Sequence, residues 1–412
     1  MPAWTILPFA GLLLAIAFLP LLTPKWWDRN RNKAIIAFLF GLPVAIAMAV
    51  RDWHAVVHAG LEYVAFVSLL GALFVISGGV RLQGLGRGTP WSNAGILALG
   101  AVLANLCGTT GASMLLIRPY LAANASRTSK GHLVVFFIFV VSNIGGVLTP
   151  LGDPPLFLGF LHGVPFTWTL RLWKEWALAC GLVIAVFLVV DTIFARRERP
   201  APGPDGFRIE GLLNLLLLVG VVGVILAAGL WIYPRFGGTA SLLTQAAAMS
   251  ALAGLSMAVT PRRIRIANEF TWHPLVEVLV LFAGIFAAMM PALVVLRENG
   301  PTLGLEKTWQ LFWASGALSA ILDNAPTYLA FLSAMQHLPD EVAGTTHHAL
   351  AAISCGVVFC GALTYIGNGP NLLVRAIAEH SGVKVPSFFA YMLWAVVILV
   401  PLFVAVTLLL AA

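Results

Sequence analysis

Two aspartates stand where an aspartate is expensive. Asp153 lies in Thr149-Pro-Leu-Gly-Asp-Pro-Pro155 and Asp323 in Leu322-Asp-Asn-Ala-Pro-Thr327, both inside long apolar stretches. A carboxylate at membrane depth costs about 2.5–3.5 kcal/mol on insertion scales, so a functional role is the default reading. A carboxylate that binds either a sodium ion or a proton, but not both, exchanges one for the other by competition. Helix capping is the plainer alternative for each, because Asp caps well and Asp153 directly precedes Pro-Pro, a helix-start signature. The interruptions are chemically useful in themselves. A broken helix exposes carbonyls at one half and free N–H groups at the other, so ligands for cations and anions are both on offer.

The elements that must hold these groups are apolar. Of 412 residues, 60% are hydrophobic and 10% charged, with a mean hydropathy of +0.93. Soluble domains are about 45–50% apolar and about 25% charged. Such a composition excludes ordinary globular, disordered and fibrous classes and implies an all-α polytopic membrane protein with lipid as its solvent. The net charge of +7 comes from residues in short loops between apolar runs, a topology signal and not a nucleic-acid surface. Cys107, Cys180, Cys355 and Cys360 all fall in apolar stretches, so neither a disulfide framework nor a Cys/His metal site is expected. The first 22 residues lack a basic leader and a cleavage site and read as a retained helix.

Apolar runs bounded by Pro, Gly and charge give ten spans: 3–22, 34–50, 57–79, 132–162, 167–195, 209–231, 239–259, 274–296, 346–381 and 386–411. Two further segments, 91–125 and 306–337, are interrupted near their middles. Neither half of either segment is long enough to cross about 30 Å of hydrocarbon, so each is expected to be a re-entrant hairpin. That count places 18 of the 24 Lys and Arg residues on one side and six on the other. The rich side is then cytoplasmic, and both termini face outside.

The halves resemble each other. Gly146-Val-Leu-Thr-Pro-Leu-Gly-Asp-Pro-Pro155 aligns without gaps to Gly361-Ala-Leu-Thr-Tyr-Ile-Gly-Asn-Gly-Pro370, an offset of 215 that also carries Glu62 onto Glu277 and Gly108 onto Asp323. Two units follow: residues 1–205, with hairpin 91–125 and broken helix 132–162, and residues 206–412, with hairpin 306–337 and broken helix 346–381. Five spans in each make the second half inverted, the plan of secondary transporters that bind substrate at the repeat interface.

Weaker signals are read more plainly. Glu62 and Glu277 lie near span ends and fit interfacial pairing. Arg118 and Arg375 follow interrupted segments, as counter-charges to a carboxylate or as snorkelling residues. Trp26, Trp27, Trp53, Trp91, Trp168, Trp173, Trp272 and Trp309 flank spans as an interfacial belt. The nine histidines fall near span ends or loops, so none is expected as a mid-membrane proton relay. Gly84-Leu-Gly-Arg-Gly88 is too short for a dinucleotide loop, and no P-loop lysine motif occurs. No nucleophile–base pair stands at membrane depth, so an enzyme is not expected.

Ser142-Asn-Ile-Gly-Gly-Val-Leu-Thr-Pro-Leu-Gly-Asp-Pro-Pro155 resembles the N-I-G-G…G-D-P-P signature of the ion transporter superfamily, which holds NhaD-type sodium/proton antiporters, ArsB-type arsenite permeases and CitMHS-like citrate carriers. Ser319-Ala-Ile-Leu-Asp-Asn-Ala-Pro-Thr327 is similar to the S-A-x-x-D-N-x-P hairpin tip of the NhaD and ArsB branches. The NhaD pattern has a second Asp-Asn in the first hairpin, where this chain carries Gly108-Thr-Thr-Gly-Ala-Ser113. The resemblance implies a homodimer with an elevator-type motion. It implies a site drawn from Ser142, Asn143, Thr149, Asp153, Asp323, Asn324, Thr327, Thr364, Asn368 and Asn371.

The two carboxylates make a sodium/proton antiporter of the inner membrane the leading expectation, with Asp153 and Asp323 as proton-coupling groups and sodium ligands. The alternative is a cation-coupled citrate or dicarboxylate carrier, or an arsenite-type oxyanion carrier, whose anion sits on free N–H groups. No cofactor is expected beyond the transported sodium ion and proton. The expected partners are the bilayer, a small ion or small-molecule substrate and a second copy of the chain; nucleic acid is not among them.

Overall fold

In lipid, backbone polar groups must be satisfied within their own segment, so apolar runs of this kind become helices. The computed structural model describes residues 1–84, 88–196, 206 and 208–411. Arg87, Arg197 and Arg199 of the charge tally, the middle of Gly84–Gly88 and most of the loop near 196–208 lie outside them.

The first half runs α1 (Leu7–Leu22), α2 (Pro24–Trp27), α3 (Asn30–Arg51), α4 (Trp53–Ser77), β1 (Arg81–Gln83), α5 (Pro90–Ala123), α6 (Gly131–Val140), α7 (Pro154–Leu161) and α8 (Trp173–Ala195). The second runs β2 (Arg208–Glu210), α9 (Leu212–Ala227), α10 (Tyr233–Val259), α11 (Arg262–Ala267), α12 (His273–Asn299), α13 (Thr308–Ile321), α14 (Asn324–Ala334), α15 (His347–Cys360), α16 (Gly369–His380) and α17 (Phe388–Ala411).

Among the described residues, nine helical segments are long and apolar enough to cross a membrane. One of them, α5, is the first expected hairpin. Gly108 (φ 77, ψ 156) breaks it in the middle, a backbone region glycine enters without a Cβ penalty. Its ends meet: Asn93 and Asn124 exchange hydrogen bonds of 3.0 and 2.8 Å. The stretch Leu212–Val259 is in turn two spans, joined through a π-helical turn at Ala228–Ile232 and a break at Gly237 (φ 81). Leu252 packs back near Gly220. The α13–α14 pair turns at Leu322–Asp323, and α15–α16 is interrupted as expected.

The centre of the molecule is formed by the first halves of the two broken helices. Every residue from His132 to Val140 in α6 is buried, and α15 is buried from Ala352 to Cys360. Large apolar side chains of α3, α9 and α17 face outward, as a lipid-facing surface requires.

Several boundaries differ from expectation. Helix α3 begins at Asn30, four residues before the apolar run, and takes Lys33 inside with it. Lys33 is buried and pairs with Glu277 Oε1 at 2.8 Å. This is possible because α3 and α12 approach backbone to backbone at Gly41 and Gly284. Trp27 and Trp168 are buried and do not belong to an interfacial belt. Trp168 Nε1 donates to His347 Nδ1 at 2.8 Å, which gives its polar atom a partner inside the protein. The strand pair β1–β2 is antiparallel, Arg81 opposite Glu210; runs of three residues carry too little alternation to be seen in sequence.

Candidate functional site

The two interruptions have the same local build. After α6 the chain makes a 3-10 turn (Ile144–Leu148), passes through extended Thr149 (φ −140, ψ 154) and re-enters helix after Asp153 (φ −145, ψ 143). After α15 it makes a 3-10 turn (Gly361–Leu363), passes through Thr364 (φ −135, ψ 164) and re-enters helix after Asn368 (φ −153, ψ 139). Each threonine braces its break against a hairpin: Thr149 Oγ1 donates to Asn105 O and Thr364 Oγ1 to Ala320 O, both at 2.6 Å. Glycine permits each loop to close on itself. A Cβ on Gly152 would lie 1.9 Å from Gly146 O, and one on Gly367 would lie 2.7 Å from Gly361 O.

Asp153 is fully buried at the meeting point of these parts. Its Oδ1 accepts from Thr109 Oγ1 at 2.9 Å and from Asn368 Nδ2 at 3.1 Å. Its Oδ2 accepts from Asn324 Nδ2 at 2.7 Å. Thr109 and Asn324 are the residues just past the two hairpin tips, and Asn368 belongs to the other broken helix. Asp153 makes no side-chain bond to the N–H groups of α7, so capping does not explain it. Asp323 does cap: its Oδ1 accepts from Ala325 N at 3.0 Å at the start of α14.

Four helical segments begin around this carboxylate: the second half of α5 at Thr109, then α7, α14 and α16. Each N-terminus presents about half a positive elementary charge. Together they favour the negative charge of buried Asp153 and half-buried Asp323, with no Lys or Arg among the described cavity-lining residues.

A second layer fixes the amides. Asn368 Nδ2 also reaches Ser142 O (3.1 Å) and Asn143 Oδ1 (3.2 Å). Asn143 Nδ2 donates to Asn371 Oδ1 at 2.7 Å, and Asn371 Nδ2 donates to Gly361 O and Thr364 O. Ser142 Oγ lies 2.9 Å from Ser113 Oγ. The structure thus joins Asp153, Asn324, Asn368, Asn143, Ser142 and Asn371 into one network. Thr149, Thr364 and Thr327 brace backbone instead; Thr327 Oγ1 donates back to Asp323 O at 2.9 Å.

Thr109 was absent from the expected site, although the 215-residue offset that maps Gly108 onto Asp323 also maps Thr109 onto Asn324. A second omission lies elsewhere. Asp191, Arg127, His132, Asn93 and Asn124 form a buried polar cluster at the base of the α5 hairpin. Arg127 Nη2 and His132 Nε2 reach Asp191 Oδ1 at 2.6 and 2.9 Å, and Asn93 donates to Oδ2 at 2.9 Å. His132, the second residue of α6, is buried in this cluster at the span end. Arg118 and Arg375 pair with Glu269 and Glu379, both at 2.9 Å, and not with the site's aspartates.

Asp323, Asn324 and Asn368 line a cavity of about 110 Å³ together with Gly108–Gly111, Gly369 and the apolar faces of α4 and α12. Asp153 lies behind that wall. Among the described lining residues none is Lys or Arg.

Known proteins resemble this chain over most of its length. An uncharacterized transporter of Mycobacterium bovis and one of Mycobacterium tuberculosis are each 25% identical over 398 residues, covering 87% of this chain and 89% of theirs. A 46 kDa membrane protein of Mycobacterium leprae is 22% identical over 403 residues, covering 88% of this chain and 90% of its own. A family model described as "Putative citrate transport" matches residues 1–411, and the chain belongs to that family of membrane transporters.

Proposed function

We propose that this transporter carries a citrate-class carboxylate together with a cation, a proton or sodium, held at Asp153 and Asp323. The observation that carries the reading is the convergence of four helix N-termini on a buried carboxylate beside a cavity. The helix ends favour an anion, but both aspartates already offset them. An entering carboxylate therefore has to bring a cation with it or find an aspartate protonated, and that requirement is coupling. The whole-chain family match supports the citrate class over the sodium/proton exchange favoured by sequence alone.

In this reading the halves are inverted repeats that alternate access to one site. The protein works as a homodimer in the inner membrane, by an elevator-type motion, with both termini outside. Sodium and protons are transported species and not resident cofactors.

The absence of Lys and Arg from the described cavity wall favours a second reading, sodium/proton antiport through the same aspartates. Proteoliposomes containing a pH dye separate the two. Uptake of labelled citrate driven by a sodium or proton gradient supports the carboxylate reading. Sodium-driven proton movement with no organic anion and no citrate uptake replaces it with antiport.

A further inference from the structure

Arg118, on the second half of α5, uses only part of its guanidinium. Nη2 donates to Glu269 Oε2 at 2.9 Å, while Nη1 has no hydrogen-bond partner. Glu269 is more than half exposed and holds a left-handed backbone (φ 49), rare for a residue with a side chain. The pair stands on the wall of a cavity of about 300 Å³ that Thr271 and His380 also line. Phe74 and Pro274 belong to the walls of both this vestibule and the central cavity, so the vestibule is an approach to the site.

We infer that Arg118 is the carboxylate-recognition residue of this vestibule, and that an arriving substrate carboxylate displaces Glu269 from it. The pair is made at one point and its Glu269 side is more than half exposed to water, which weakens its hold. An arriving carboxylate that displaces Glu269 and reaches the buried, unpartnered Nη1 takes both N–H groups in the two-pronged geometry arginine prefers, and so competes well. No covalent step is involved: one carboxylate leaves the guanidinium and another arrives. The 215-residue offset sets Ser333 opposite Arg118, so this recognition belongs to one half of the molecule. The inference rests on the citrate-class reading above.

The two partners of the pair give opposite expectations. In proteoliposomes, with initial rates measured over a range of labelled citrate concentrations, Arg118→Gln raises KM about tenfold. Glu269→Gln lowers KM, because it frees the guanidinium. A purely structural clasp is broken equally by either change, so KM raised in both variants overturns the inference, as does an unchanged KM in Arg118→Gln. If Arg118→Gln does not fold, Glu269→Gln decides: lowered KM supports the inference, and unchanged or raised KM overturns it. Parent protein that moves protons with sodium but takes up no citrate removes the citrate-class reading and this inference with it. Parent uptake with an Arg118→Gln KM equal to it removes this inference alone.

Discussion

Asn368 donates its amide to Asp153 at 3.1 Å across 215 residues of sequence, the same spacing that aligns the two broken helices. The residues at matching places in the two halves thus touch each other, one as acid and one as amide. Thr109 and Asn324, a second matched pair, both donate to that same carboxylate. The motifs agree in backbone and differ in charge, and the single carboxylate among these four is where the halves meet.

Replacement of the acid by its amide tests its place in transport. Asp153→Asn keeps the shape but removes the charge and sets an amide NH2 against the donor at either Asn324 or Asn368. Hydrogen bonds to a charged group contribute about 1.5–3 kcal/mol each. Citrate uptake is expected to fall at least about 100-fold while the purified protein remains folded by thermal melt. Uptake near the parent rate would remove Asp153 from the mechanism.

Thr109→Val removes one donor with little change of volume. Uptake is expected to fall about tenfold, with a similar loss in Asn324→Ala. Because both residues share one acceptor, the double variant should lose less than the product of the two single effects. Strict multiplication would show that the hairpin tips act independently.

The closed loops make a steric prediction. Gly152→Ala places a methyl group 1.9 Å from Gly146 O, whereas a Cβ on Gly369 meets nothing within 4 Å. Gly152→Ala should lower the yield of folded protein severely, and Gly369→Ala should leave yield near that of the parent. Size-exclusion profiles of the two variants make the comparison.

The polar cluster at the hairpin base should matter to stability and not to recognition. Asp191→Asn leaves the buried Arg127 without its counter-charge and sets an amide NH2 against the Asn93 donor, and breaking a buried pair costs about 3–5 kcal/mol. The melting temperature should drop clearly, while uptake per folded molecule stays within about twofold of the parent. A selective loss of uptake with an unchanged melt would assign the cluster a role in transport instead.

Much of the architecture is determined by the sequence, because lipid leaves the chain few choices. Apolar runs had to become helices, and Thr149–Pro155 and Gly367–Asn371 could not continue one, since Pro lacks the donor and Gly the rigidity. The same sequence marked Asp153 and Asp323 but could not separate them. Tertiary structure did that: Asp323 satisfies the first turn of its own helix, a local bond, while all three donors to Asp153 come from 44 to 215 residues away. Thr109, Lys33 and Asp191 were misread or overlooked for a related reason. Whether a hydroxyl, an ammonium or a carboxylate is buried and partnered depends on which helices pack together, and no local pattern encodes that packing.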